Sequence, residues 1–266
     1  MNQEKNQEKE IISTRETLIL EAFKFNLMSD TFMSVALADK AACQHALRIL
    51  TGIKDLEVKE VRTQYTISKI TSRGAKLDVL ATDGRGKIYN IEIQRKGTID
   101  HGKRTRFYSS MVDSEFLQKG KEYSELPDVY IIYISEEDIW KVGKTTYSVK
   151  KVFAGTDIEY DDGVQILYVN AHVDDGSEIA DLMKYFTKAD PYDDSQGDLS
   201  KYIHFLKCEE GGHEIMCEIT EKFIEIGMER GIEKNKLEIV EASLKEGLSI
   251  EIIAAITGFT AEEIKK

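Results

Sequence analysis

The sequence has little of several features that mark whole classes of protein. Only two of its 266 residues are proline and only one is tryptophan. No apolar run approaches the roughly 18 residues that a membrane helix needs, and the best is Val129 to Ile134. The polar N-terminus, MNQEKNQEKE, has no apolar core of the kind found in signal peptides. We therefore expect a cytoplasmic protein, neither secreted nor embedded in a membrane.

Cysteine and histidine are too scattered to predict a zinc centre. Cys43, Cys208 and Cys217 lack paired metal-type spacing, and the five histidines are dispersed along the chain. The cysteines fit a reducing cytoplasm. Two Asp-Asp-Gly motifs, at 161–163 and 174–176, lack the rest of a calcium loop, so we interpret them as ordinary turns.

Strand and helix patterns alternate along the chain, which predicts the α/β class with a mixed central sheet flanked by helices. The 41% hydrophobic and 32% charged shares are those of a folded domain. We predict a disordered N-terminus (1–12), one main domain (13–218) and a C-terminal helical extension (219–266). The predicted helices are 14–25, 30–50 (ended by Gly52), 101–117, 176–186 and 198–207; the predicted strands are 56–70 (one or two), a hairpin within 74–95, 129–134 (central and buried), 147–153 and 164–169.

The C-terminal extension carries a helical apolar stripe with Glu and Lys between its members. Two short helical pieces follow, with Gly258 in the turn and Thr260 and Glu263 placed as a capping box. No basic face accompanies them, whereas a helix reading the major groove needs one. We therefore expect this extension to pack or oligomerise rather than to read DNA. The stripe consists of Ile232, Leu237, Val240, Leu244 and Leu248.

The most informative segment is GAKLDVLATDGRGKIYNIEIQR, residues 74–95. It predicts two strands joined by the turn Asp83-Gly84-Arg85-Gly86. If Asp83 or Thr82 pairs with the first residues of the second strand, Asp78 falls opposite Glu92. Opposed residues have Cβ atoms about 4.5–5.5 Å apart, and two carboxylates at that distance repel unless a cation lies between them. The pattern therefore predicts a divalent metal site.

An Asp at the end of one strand, a Glu on the next, and Lys or Gln two residues later resemble the signature of PD-(D/E)xK nucleases. Here these positions are Asp78, Glu92 and Gln94. The wider resemblance is to the bacterial recombination-promoting nuclease and transposase family of that superfamily, over about residues 26–217. It includes SDTFMSVAL (29–37), the strand pair, RTRFYSSM (104–111) and LQKGKEYSELPDVYIIYI (117–134).

This resemblance implies a restriction-endonuclease-like fold and a Mg²⁺ site, in which Mn²⁺ can substitute. Asp78, Glu92 and the main-chain carbonyl of Ile93 are then the metal ligands. Asp30 is the candidate for the acidic group that the first core helix often supplies, although it can equally cap that helix. Gln94 stands where most of the superfamily has Lys, and its neutral amide cannot accept a proton near pH 7.

Five cations follow the second strand of the hairpin within twelve residues, although the net charge of the chain is −12. This basic strip consists of Arg95, Lys96, Lys103, Arg104 and Arg106. Arg104 and Tyr108 are four residues apart, hence on one helix face, where they can bind a phosphate; Arg106 points elsewhere and is a weaker candidate. Against an acidic remainder, this local basic strip predicts weak, salt-sensitive DNA binding.

The leading hypothesis is a Mg²⁺-dependent DNA endonuclease, which the resemblance associates with recombination and mobile elements. The alternative is a catalytically inactive relative that binds DNA or a protein partner. RNA cleavage by the same site is a third hypothesis, because hydrolysis there needs no 2′-hydroxyl. Cutting both strands of a duplex needs two active sites, so we expect a homodimer through the C-terminal stripe.

Overall fold

The computed structural model describes residues 16–17, 19–68, 73–95, 100–245 and 248–264. Contacts divide the chain into two units, of which the larger is Ile19–Met216. The smaller holds the described residues before Ile19 and after Met216. The predicted domain bounds remain a prediction, and the N-terminal segment 1–12 lies outside the described residues.

Residues 19–23 are helical, within the helix predicted over 14–25. Two helices then follow where one was predicted. α1 spans Asp30–Ala36 and α2 spans Lys40–Thr51. They are separate because the carboxylate of Asp39 accepts the backbone N–H of Ala42 at 2.9 Å and so caps the start of α2. Gly52 ends α2 with φ 72°, a left-handed conformation that glycine adopts without strain. The prediction of a single helix over 30–50 was therefore wrong, whereas its end at Gly52 is confirmed.

A six-stranded mixed sheet forms the centre of the larger unit. The strands are β1 Val58–Ile67, β2 Ala75–Asp83, β3 Ile88–Gln94, β4 Val129–Ser135, β5 Thr146–Ser148 and β6 Val164–Asn170. Their order across the sheet is β1-β2-β3-β4-β6-β5. The first three strands are antiparallel, β3, β4 and β6 run parallel, and β5 is antiparallel to β6. The predicted α/β class with a mixed sheet is confirmed.

Helices flank this sheet. α3 (His101–Phe116) connects β3 to β4 and contacts both β4 and β2. Its buried side chains join those of the strands in one apolar cluster, which includes Leu80, Ile88, Val112 and Ile131. A 3₁₀ turn at Tyr123–Glu125 precedes β4, and the unit continues with α4 (Glu178–Lys188) and α5 (Gly197–Cys208).

The strand predicted over 147–153 is shorter than expected. β5 ends at Ser148, and Val152 makes only an isolated bridge with Glu159. Val152 and Phe153 are 52% and 53% exposed, so this β-branched and aromatic composition does not line a buried sheet. The central strand was predicted correctly: every residue of β4 except Tyr130 is buried.

The smaller unit contains α7 (Ile250–Thr257), α8 (Ala261–Ile264) and most of α6 (Glu210–Lys245). Val240, Ile253 and Ile264 form its apolar cluster. Gly258 ends α7 with φ 75°, and Thr260 and Glu263 exchange hydrogen bonds of 2.8 and 3.3 Å as the predicted capping box. No described helix has the length and apolar composition needed to cross a membrane.

The predicted C-terminal stripe does not face one environment. Val240 is buried inside the smaller unit, whereas Leu237, Leu244 and Leu248 are 51%, 46% and 40% exposed. The side chain of Ile232 lies outside the described part of α6. Three leucines of the stripe are therefore at the surface of this chain, and the packing or oligomerisation of the extension stays a prediction.

Candidate active site

The hairpin turn between β2 and β3 is fixed by the buried carboxylate of Asp83. One of its oxygens accepts the N–H groups of Arg85 and Lys87 at 2.8 and 2.9 Å, and the other accepts the hydroxyl of Tyr89 at 2.9 Å. Thr82 pairs with Ile88, which is one of the two predicted pairings. Since each step toward Asp78 on β2 is matched by one step along β3, this register places Asp78 opposite Glu92.

The two acidic side chains are tied to each other's strands at this point. An Asp78 carboxylate oxygen accepts the backbone N–H of Ile93 at 3.2 Å. A Glu92 carboxylate oxygen accepts the backbone N–H of Asp78 at 3.2 Å. Glu92 is only 4% exposed and Asp78 is half-buried. Both carboxylates are therefore held in place before any ligand binds.

Burial makes ionisation of this pair unfavourable. The pKa of Glu92 is raised chiefly by burial and then by the neighbouring charge of Asp78. Burial is also the main reason that the pKa of Asp78 is raised, while the N–H of Ile93 and the charges of Arg104 and Lys76 act in the opposite direction. Two adjacent carboxylates at a desolvated position become stable as anions when a cation joins them.

The donor set fits a small hard cation such as Mg²⁺. Mg²⁺ takes oxygen ligands, usually one or two carboxylates with water and substrate phosphate in the other positions. Within the described part of the chain, no group of three or more His, Cys, Asp or Glu side chains converges in a way that could hold a metal ion. The backbone N–H of Ile93 points toward Asp78 on β2. The N–H and C=O groups of one strand residue point toward the same adjacent strand, so the carbonyl of Ile93 also faces β2.

Asn90 supplies a further polar group at this position. It lies two residues before Glu92 on the same face of β3 and is fully buried. Its side-chain amide makes no hydrogen bond of ordinary geometry, although it is near enough to Glu92 to act against the rise in that group's pKa. A buried amide without a well-formed protein partner commonly has one outside the protein, such as an ordered water.

Helix α3 places a second set of side chains over the same face. Arg104 donates from Nε to the Tyr108 hydroxyl at 2.8 Å and from Nη1 to the Gln94 side-chain oxygen. The Arg104 guanidinium also lies over the Tyr108 ring, 5.7 Å from its centroid. Tyr108 is buried, and the adjacent charge of Glu92 adds to the burial that raises its pKa. The hydroxyl of Tyr108 thus connects the exposed Arg104 to the buried acidic pair.

Comparison with known families agrees with this arrangement of a paired-carboxylate hairpin in a mixed α/β sheet. A family model described as PD-(D/E)XK nuclease family transposase matches residues 44–230, more than half of the chain. The chain belongs to this family. Searches of curated proteins and of solved structures gave no match.

The family match includes the whole hairpin and α3 but begins after α1. Asp30, the predicted fourth acidic residue, is therefore outside the matched residues. It is the first residue of α1, it is exposed, and its carboxylate accepts the N–H of Thr31 at 2.8 Å. The pKa of Asp78, which burial raises most, is raised further by the charge of Asp30, so Asp30 lies near the candidate site. Its catalytic role stays a prediction.

The structure brings the other predicted residues together, except for Arg106. Asp78, Glu92, Ile93, Gln94, Arg104 and Tyr108 are linked by the contacts described above. Arg106 is exposed on another side of α3, where its carbonyl accepts the hydroxyls of Ser109 and Ser110.

Sequence reasoning missed the polar groups that support Arg104 from the sheet. Tyr133 lies in the run predicted as a buried central strand. Its hydroxyl hydrogen-bonds the His101 ring at 3.1 Å and, together with Tyr108, raises the pKa of Arg104 against the opposing effect of burial. Thr105 and Tyr168 pair in the same layer at 2.9 Å. The sequence does place Tyr133 and Tyr168 on neighbouring parallel strands. Their partners, His101 and Thr105, are known only once α3 is placed over the sheet.

Proposed function

We propose that this protein is a metal-dependent endonuclease that hydrolyses phosphodiester bonds in DNA. The observation that carries the proposal is the pair of buried carboxylates, Asp78 and Glu92, facing each other across β2 and β3. Membership of a PD-(D/E)XK nuclease family supports the same reaction class. Association with recombination or mobile elements is part of the proposal, because the family is named for transposases.

Asp78, Glu92 and the carbonyl of Ile93 would hold Mg²⁺, or Mn²⁺ in its place. Such an ion lowers the pKa of a bound water and neutralises charge on the scissile phosphate. The two carboxylates are suited to this because their strands hold them in place through the N–H groups of Ile93 and Asp78. Little rearrangement is then needed when the ion binds.

Arg104 and Tyr108 would contact the phosphate. The guanidinium of Arg104 has five N–H donors, and the two contacts with Tyr108 and Gln94 orient it toward the acidic pair. A guanidinium held in this way binds a phosphate oxygen with little further loss of side-chain freedom. In this proposal Tyr108 positions Arg104 and also contacts Glu92.

Gln94 has a supporting role in this proposal. Its amide cannot take a proton from water near neutral pH, and its side-chain oxygen accepts a hydrogen bond from Arg104. We propose that it orients Arg104, while deprotonation of the attacking water depends on the bound ion. Glutamine at this position, where most of the superfamily has lysine, favours the second candidate function. That function is a catalytically inactive member of the family that binds DNA or a protein partner.

The test is relaxation of supercoiled plasmid in Mg²⁺ and in Mn²⁺, comparing the native chain with Asp78→Ala and Glu92→Gln. We expect the native protein to nick the plasmid and each variant to lose at least about 100-fold in rate, since even outer-shell partners of metal ligands commonly contribute 10–100-fold. Asp157→Asn is the matched control, because Asp157 is an exposed carboxylate in a different part of the fold.

Equal nicking by native and Asp78→Ala proteins would place the activity elsewhere or in a contaminant. Absence of nicking in both ions, together with DNA binding that is unchanged in Asp78→Ala, would favour the inactive binding protein. A matched RNA substrate in the same assay distinguishes DNA from RNA cleavage.

A further inference from the structure

A groove of about 600 Å³ opens beside the acidic pair, between the start of β2 and helix α3. It shares two side chains, Arg104 and Tyr108, with the candidate active site. Lys76 lines it from β2 and lies on the same face of that strand as Asp78, two residues away. The groove is therefore continuous with the place where the scissile phosphate would bind.

The lining of the groove is basic, in contrast to the chain as a whole. Arg73, Lys76, Lys103 and Arg104 contribute four cations, and Asp100 is the only acid among its described lining residues. The ion pair of Lys103 with Asp100 is long, 3.6 Å, and both partners are largely exposed, so it neutralises little. In a chain with a net charge of −12, this concentration of cations marks a surface for an anion.

Two cations of the groove lie close to the acidic pair in the fold. Arg104 donates to the side chain of Gln94, two residues after Glu92, and Lys76 lies two residues before Asp78 on the same face of β2. An anionic chain bound along these residues would therefore extend the contacts of the acidic pair rather than form a separate site.

One wall of the groove is aromatic. Phe107 lines it and is half-buried, packed against the apolar cluster under α3. Cations that track a backbone, next to an aromatic side chain on which a base can stack, are the combination that binds single nucleic-acid strands. Volumes of 300–1,000 Å³ are typical of pockets for small organic ligands, and this groove falls in that range.

We infer that this groove binds the nucleotides next to the scissile phosphate on one DNA strand. Arg73, Lys76 and Lys103 contact the flanking phosphates, and Phe107 contacts a base. This inference rests on the proposed function for the position of the cut, but strand binding itself requires neither metal nor chemistry.

The first test is the affinity for a short fluorescein-labelled single strand, measured by anisotropy without metal at several salt concentrations. Arg73→Ala, Lys76→Ala and Lys103→Ala should each weaken binding about 3–10-fold and reduce the slope of log K against log salt by about 0.7–0.9. Lys188→Ala removes an exposed lysine from α4 and is the matched control, which should change neither quantity. Unchanged affinity and slope in all three groove variants would overturn the inference.

The second test concerns the aromatic wall. Phe107→Leu should weaken binding of the single strand by at least about 5-fold, the lower end of base stacking on an aromatic side chain. Because Phe107 also packs against the core, the same variant is measured with an oligonucleotide whose bases are replaced by abasic residues. Loss of affinity for both oligonucleotides equally would mean that Phe107 has only a structural role, and the base contact would be rejected.

The two proposals fail separately. Groove variants that weaken binding while the native protein never nicks would support the groove and reject the nuclease. The opposite result would support the nuclease and reject the groove. In that case nicking depends on Asp78, and neither nicking nor strand binding changes in Arg73→Ala, Lys76→Ala or Lys103→Ala.

Discussion

At the scale of single residues, Glu92 lies where an ionised carboxylate is least favoured. It is 4% exposed and adjacent to a second carboxylate. Natural proteins rarely bury an acidic pair without a partner, because desolvation and repulsion both oppose ionisation. In the proposed function, a bound cation would offset the free energy that ionising this pair costs. Metal affinity and protonation would then be coupled at this position.

This coupling predicts how Mg²⁺ stabilises the protein at different pH. The folded pair has raised pKa values, so the metal-free protein binds more protons than the unfolded chain and loses stability as the pH rises above about 4. The gain in melting temperature caused by Mg²⁺ should therefore grow from about pH 5 to about pH 8, where protons no longer compete. When free Mg²⁺ is at 100 times its Kd, the free energy of unfolding rises by about 2.7 kcal/mol.

Thermal unfolding with and without Mg²⁺ across that range measures the effect. In Glu92→Gln the pH-dependent gain should disappear, and the metal-free variant should be more stable than the native protein at about pH 8, since the repulsion is absent. A gain from Mg²⁺ that is equal at all pH values in both proteins would contradict the assignment of the two ligands.

The acidic pair was predictable because it depends on local sequence. A turn signal and the two-residue alternation of a hairpin are enough to place Asp78 opposite Glu92. The i, i+4 relation of Arg104 and Tyr108 is local too. Their contacts with Gln94 and Tyr133 are not, because these require the position of α3 over the sheet, which no local pattern specifies.

At the scale of elements, Lys207 holds three segments of the larger unit together. It lies on α5, is 1% exposed, and donates to the backbone carbonyls of Phe23, Phe25 and Ala189 at 3.3, 2.7 and 2.7 Å. Its ammonium also lies 5.2 Å from the ring centroid of Phe32 on α1. Three donors meet three acceptors, so the buried amine completes hydrogen bonds that the main chain lacks.

Replacing this amine predicts a large loss of stability. Lys207→Met keeps most of the side-chain volume but removes the donor from three carbonyls, of which that of Ala189 is buried, and should destabilise the protein by about 2–4 kcal/mol. Chemical denaturation of the full chain measures the change. Lys201→Met, an exposed position on the same helix, is the control and should have little effect. Equal stability of the two variants would show that water satisfies the carbonyls instead.

The element boundaries that sequence reasoning misjudged have local physical causes. The helix predicted over 30–50 is interrupted because Asp39 bonds the main chain of Ala42 instead of continuing the helix. The strand predicted over 147–153 ends early because the chain turns back on itself after Val149. The N–H of Phe153 donates to the carbonyl of Ile158, and the N–H of Tyr160 donates to that of Lys151. In both cases the predicted type of element was correct, and a competing contact set its length.

At the scale of the whole molecule, the exposed leucines of the C-terminal unit keep the predicted homodimer open to test. Leu237 and Leu244 are seven residues apart on α6, hence on one face, and both are exposed. We expect light scattering to give a dimer mass for the native chain and a monomer mass for Leu244→Glu. Ile256→Glu, on α7 and 59% exposed, is the control and should remain dimeric. A single monomer mass for the native chain would contradict the prediction.

The turn at Asp83 has a consequence for how this protein can change over generations. Its three hydrogen bonds and the alternation of Ile91 with Glu92 set one register for both the core and the acidic pair. A slip of one residue would turn apolar side chains of β3 toward the face of the acidic pair and would separate the two carboxylates. An insertion or deletion in the turn should therefore disturb the fold and the acidic pair together. Copies of the gene that lose the acidic pair while keeping the fold should do so by point substitution at Asp78 or Glu92.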